Sequence, residues 1–180
     1  MAVTSTSNSI TSIPTFVLPD LDGVSVNSDE AIQGKVSVVM FTCNHCPYVK
    51  LVEMDIGRIS KARTDVSWLA ICSNDVTSHP DDDVSGLREQ VQRAEWTFPY
   101  LVDTDQRVAH EFGAVCTPDF FVFDDKGDLR YRGAMDQARP GGDSPVDGVF
   151  LLEAIDSAKA RISYQGGRPS MGCGIKWKEQ

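Results

Sequence analysis

Cys43 and Cys46, with Asn44 and His45 between them, are the residues of this chain best suited to chemistry. Thiols in a C-x-x-C lie within one turn and can close a disulfide with little strain. Such a pair can exchange disulfides: one sulfur attacks and forms a mixed disulfide, and the other attacks back to release the reduced substrate. The same spacing also suits half of a metal site, which His45, Cys116 or Cys173 would complete.

The flanking residues decide how the pair is presented. Val36-Ser37-Val38-Val39-Met40-Phe41 is β-branched and nearly free of polar residues, as a buried strand requires. Beyond Cys46, Val52, Ile56 and Ile59 recur at helical spacing with charged residues between them. The cysteines are therefore expected at the first turn of a helix, where free N–H groups and the dipole favour an anion. On this reading Cys43 is exposed, has a depressed pKa and acts as the nucleophile. Cys46, further in, is the resolving thiol, and His45 as an imidazolium stabilises the Cys43 thiolate.

With 180 residues, 41% hydrophobic and 24% charged, the chain has the size and composition of one soluble domain. A net charge of −9 argues against a nucleic-acid surface. Residues 1–9 lack a charged region followed by an apolar one, and no apolar run is long enough to span a bilayer. Five cysteines, an odd number, do not make a secreted disulfide framework. The expected location is cytoplasmic, with no membrane or nucleic-acid partner and no cofactor or resident metal.

Residues 1–12 read as a flexible N-terminus, 13–163 as the domain, and 164–180 as a Gly-rich basic tail. Strands are expected near 13–19, 36–42, 66–72 and 98–102, and helices near 46–63, from about 81 through Ala94, over 108–112 and over 146–162. A hairpin pairs Asp119–Phe123 with Asp128–Arg132 across a Lys126-Gly127 tip. Helices alternating with strands and closing on a hairpin indicate an α/β sandwich with a mixed sheet.

Two segments resemble the thioredoxin superfamily, in its peroxiredoxin/TlpA-like (AhpC/TSA-type, redoxin) branch. One is the strand–Cys43-x-x-Cys46–helix unit. The other is Cys116-Thr117-Pro118-Asp119-Phe120-Phe121-Val122-Phe123, similar to the family's cis-proline loop leading into a hairpin. The resemblance covers about residues 14–162. It implies a thioredoxin-like three-layer α/β/α sandwich with a mixed sheet, an N-terminal β extension and a cis Thr117–Pro118 bond. It further implies that Pro118 shapes a substrate groove beside the cysteines, lined by Thr117 and Cys116, where an extended substrate chain pairs with the backbone. The ending Pro169-Ser170-Met171-Gly172-Cys173-Gly174-Ile175-Lys176-Trp177-Lys178 resembles that of redoxin-domain proteins. Ser37 stands where thioredoxins proper carry a buried carboxylate, so another proton carrier is expected, His45 or water. Around neither cysteine do the residues match the peroxiredoxin signature Pro-x-x-x-Thr-x-x-Cys.

The implied activity is thiol–disulfide exchange on a disulfide-containing protein or a low-molecular-weight thiol, with an upstream thiol reductant recycling the site. A thiol-dependent peroxidase with an antioxidant role, and a zinc- or iron–sulfur-binding module, are the alternatives. Cys72, in a strand, reads as a small core residue. Cys116 is expected on a partner-facing rim beside the redox pair. Cys173, between glycines, is expected in a tail able to fold back as a third thiol. Asp81-Asp82-Asp83 reads as acids complementing a helix dipole. His79 and His110 read as surface residues, and Gly57 as a point that loosens its helix.

Overall fold

The alternation of side chains along one strand organises the molecule. In β4, Ser37–Phe41, every residue is buried, and successive side chains serve opposite faces. Val38 and Met40 join one apolar cluster, while Val39 and Phe41 join the other. The computed structural model describes residues 2–6 and 10–179 of the chain.

β4 lies at the centre of a five-stranded sheet. On one side runs β5, Ser67–Cys72, followed by β6, Tyr100–Val102, all three parallel. On the other side β8, Asp119–Phe123, is antiparallel to β4, and β9, Leu129–Gly133, closes the edge. The β8–β9 turn is held by Asp124, whose Oδ1 accepts the N–H groups of Lys126 and Asp128. The sheet is mixed, as expected.

Three helices cover the first face: α2, Pro47–Ala62, α3, Val84–Ala94, and α5, Val149–Lys159. They contribute Val49, Val52, Ile56, Ile59, Leu87, Leu151 and Ile155 to its cluster. The other face packs against α1, Ser28–Ile32, and α4, Arg107–Phe112. Phe112 of α4 sits edge-on against Phe41 and Phe121, with ring centroids 5.2 and 5.1 Å away. Three layers result. At the N-terminal side β2, Val17–Pro19, and β3, Ser25–Asn27, pair as a hairpin, the expected β extension. Among the described residues no helix is long and apolar enough to cross a membrane.

The ends of the chain differ from the sequence reading. Ala2–Thr4, within the segment read as flexible, forms β1; residues 1 and 7–9 of that segment lie outside the described residues. The segment read as a basic tail contains β10, Met171–Gly174, antiparallel both to β1 and to β7, Cys116–Thr117. Glycine-rich sequence carries no periodicity, and its ordering comes from backbone pairing across the whole chain length. Gly57 also differs. It is buried in α2, and a Cβ there would lie 2.2 Å from the Ala94 carbonyl oxygen, so it allows α2 and α3 to approach rather than loosening a helix.

Candidate functional site

The site forms where β4 runs out. Helix α2 starts at Pro47 with Cys46 as its N-cap, so Cys43 lies three residues before the cap, outside the helix. The expectation that Cys43 sits at the helix N-terminus is therefore displaced by one C-x-x-C. Sequence periodicity could not find this, because apolar spacing marks a helix face and leaves its first turn undefined. Proline at N1 was the available signal, since its missing N–H costs nothing there.

The bridging loop is held by Asp82, on a short 3-10 turn, Pro80–Asp82, before α3. Its Oδ1 accepts the backbone N–H groups of Asn44 at 2.8 Å and His45 at 3.1 Å. Its Oδ2 lies 2.6 Å from His45 Nδ1 and accepts from Asn74 Nδ2 at 2.8 Å. Burial works to raise this carboxyl, but the hydrogen bonds from His45 and Asn74 outweigh it and hold Asp82 below its ordinary range. A second set of contacts braces the same loop. Asn44 Nδ2 donates to the Asp81 carbonyl, Arg93 donates to Asn44 Oδ1, and Gln90 donates to the Cys43 carbonyl. Arg93 and Gln90 are themselves tied to the buried Glu53 of α2.

The three acids are thus not alike. Asp83 caps α3 by accepting from Gly86 N–H, while Asp82 is a buried anchor of the candidate site. Nothing local in the sequence separates them; only the fold brings the 3-10 turn against the cysteine loop. His79, read as a surface residue, lies against the His45 ring at 4.7 Å. His110 stacks on Trp177 at 4.3 Å.

Both cysteines of the motif are fully buried. Thr117 touches each of them: Cys43 Sγ lies 3.2 Å from its Oγ1, and Cys46 Sγ lies 3.3 Å from its carbonyl oxygen. The Thr117–Pro118 bond is cis, as the resemblance implied. Pro118, with Tyr48, Val52 and Phe120, lines a small cavity whose lining includes neither cysteine.

The electrostatics move the two sulfurs in opposite directions. Cys46 is pulled down to about 5, first by a hydrogen bond from the Cys43 thiol; burial opposes this, and the thiol and N–H of Cys173 and the N–H of Val49 add to it. Cys43 is raised well above the usual thiol value by burial, by its bond to Cys46 and by the nearby Asp82 charge.

The other sulfurs divide. Cys72 is buried in β5 and pushed up to about 12 by desolvation, consistent with a core role. Cys116 is fully buried, with Sγ 3.9 Å from the Ser170 carbonyl, and burial pushes its thiol upward. It is not on an exposed rim, because the strand at residues 171–174 covers it. Cys173 is half-buried and stands opposite Thr117 in the β10–β7 register.

Among the described residues, one group has metal-ligand geometry: Cys43, His45 and Asp82, whose ligating atoms all lie within 4.8 Å of one another. It differs from the set suggested by the sequence, Cys43 and Cys46 completed by His45, Cys116 or Cys173, in bringing in Asp82 and leaving out Cys46. Both Asp82 oxygens in it already accept hydrogen bonds from the loop and Asn74.

A mixed sheet between helices, with cysteines where its central strand meets the following helix, is the thioredoxin-like class of α/β fold. A secreted disulfide oxidoreductase of Mycobacterium tuberculosis, homologous to E. coli DsbE, shares this fold with a TM-score of 0.62 at 17% identity, over 79% of this chain and 95% of that one. The AhpC/TSA family model matches residues 11–132, and the chain belongs to the AhpC/TSA family. It is 28% identical over 160 residues to a thiol:disulfide interchange protein DsbE of Allochromatium vinosum, covering 87% of this chain and 77% of that protein. An uncharacterised conserved protein from Geobacillus kaustophilus is 36% identical and superposes with a TM-score of 0.94, over 100% of this chain and 98% of that one. The chain thus joins a thioredoxin-like fold to membership of the AhpC/TSA family.

Proposed function

We propose that the protein reduces or oxidises disulfides by exchange through Cys46 and Cys43, with Cys46 as the attacking sulfur. The observation that carries this reading is the Cys46 sulfur at the α2 N-cap, held near a pKa of about 5 by the Cys43 thiol. A thiolate at neutral pH attacks a disulfide and forms a mixed disulfide. Cys43, hydrogen-bonded to that sulfur, then displaces the substrate half and closes the Cys43–Cys46 disulfide. The proton leaving Cys43 has His45 nearby, positioned by Asp82.

The substrates in this proposal are a disulfide-containing protein or a low-molecular-weight thiol, and an upstream thiol donor restores the reduced form. A cytoplasmic location belongs to the proposal and is checked by cell fractionation. Its support is the odd number of cysteines, five, in a chain whose core is built from apolar side chains.

The test is reaction with glutathione disulfide. Cys46→Ser is expected to take up no glutathione at position 43, and Cys43→Ser to be oxidised at Cys46. Labelling at Cys43 in the Cys46→Ser variant, at the rate of the unaltered protein, contradicts the assignment.

A further inference from the structure

With Cys43 and Cys46 fully buried, a part-exposed sulfur beside them offers a route between the pair and solution. The strand over the pair is β10. Its Cys173 stands opposite Thr117, and the Thr117 carbonyl lies 3.3 Å from Cys46 Sγ. Cys173 packs on the cluster that contains Cys43 and Cys46, and of these three thiols it alone is part-exposed. The approach is close because residue 172 is glycine: a Cβ there would lie 1.8 Å from the Thr117 carbonyl oxygen. The strand is pinned on both sides. Ser5 N–H donates to the Ser170 carbonyl, and Lys176 N–H donates to Asn74 Oδ1, whose amide in turn bonds Asp82.

We propose that Cys173 is the solvent port of a three-sulfur relay, in which the disulfide passes from Cys43–Cys46 to Cys46–Cys173 and is there reduced by an external dithiol. The inference rests on the exchange reading above. In the first step the Cys173 sulfur attacks Cys46 Sγ; the Cys43–Cys46 bond breaks, the Cys46–Cys173 bond forms, and the proton lost by Cys173 ends on Cys43. Nothing is oxidised or reduced overall. In the second step one external thiol attacks Cys173 Sγ and Cys46 leaves as a thiolate. The second external thiol then attacks the sulfur of the first and releases Cys173. The dithiol becomes a disulfide and its two electrons reduce the protein; one of its protons ends on Cys173 and the other goes to solvent, Cys46 remaining a thiolate. Attack falls on Cys173 because it is the reachable sulfur. Attack there expels Cys46.

The experiment oxidises Cys43→Ser with glutathione disulfide, alkylates free thiols and maps peptides without reduction. A linked Cys46–Cys173 peptide is expected. In parallel, oxidised Cys173→Ser is reduced with dithiothreitol, expected to be about tenfold slower than the unaltered protein because only buried sulfurs remain. Two results overturn the port while leaving exchange standing: glutathione retained on Cys46 of Cys43→Ser with no linked peptide, or Cys173→Ser reduced at the unaltered rate. Absence of any disulfide in either protein removes the exchange reading, and the relay with it.

Discussion

At the scale of single residues, the site is governed by which group carries charge. Cys46 titrates near 5 chiefly because the Cys43 thiol donates to it, so Cys43→Ala is expected to move that titration upward. Ultraviolet thiolate absorbance against pH reads the shift, and an unmoved curve contradicts the hydrogen bond. The stability consequence has a definite sign. A Cys46 pKa depressed below the unfolded value of about 8.5 contributes stability in full above that pH, and the contribution is lost as pH falls through about 5. Urea unfolding of the reduced protein and of Cys46→Ser should therefore converge as the pH is lowered over that range. Asp82 is the other decisive residue. In Asp82→Asn an amide N–H₂ replaces an oxygen that faces the donors of His45 and Asn74. Unfolding free energy should fall by about 1–3 kcal/mol. Because the Asp82 charge helps hold Cys43 up, the Cys43 titration should also move down, a change that loss of structure alone would not produce.

At the scale of elements, two glycines set how closely segments approach. Gly57→Ala improves helix propensity by about 1 kcal/mol, yet its methyl would meet the Ala94 carbonyl at 2.2 Å. Overpacking of this kind costs about 1–3 kcal/mol, so the melting temperature is expected to drop. A rise would mean that α2 and α3 can part freely. Gly172→Val places a side chain against the Thr117 carbonyl and should lift β10 from β7. Cys46 loses its cover, and iodoacetamide should label it faster than in the unaltered protein. The tail reading of residues 164–180 failed at this scale. Met171–Gly174 has no alternation or β-branched residues to announce a strand, and it is one because β1 and β7 offer it backbone partners.

At the scale of the whole molecule, stability is concentrated where distant segments meet out of water. Arg132 of β9 and Asp119 of β8 form a pair that is 2% and 0% exposed, bonded at 2.8 Å. The guanidinium also donates to the Gly113 carbonyl and lies 4.7 Å above the Phe121 ring. Arg132→Met strands a buried carboxylate and should cost about 3–5 kcal/mol in urea unfolding. Arg161→Met, which breaks a solvent-exposed pair with Asp125, should leave the unfolding midpoint almost unchanged. Equal effects would contradict the role given to burial. The strands of the central sheet and the helices that cover its first face were legible in advance from residues such as Val38 to Phe41 and Val52 to Ile59, because periodicity reports a local preference that packing then satisfies. The Thr117-Pro118 loop was legible as well, since turn chemistry is carried by adjacent residues.

By itself, the sequence determined that sulfur chemistry sits at a strand-to-helix junction in an α/β sandwich, because spacing, alternation and proline position are properties of neighbouring residues. Only the tertiary structure decided that Cys46 rather than Cys43 caps the helix, that Asp82 rather than its neighbours anchors the loop, and that Cys173 closes over the pair. Each of these depends on segments far apart in the chain meeting in a dry interior. There the fate of a proton depends on which donors and charges the fold has brought together.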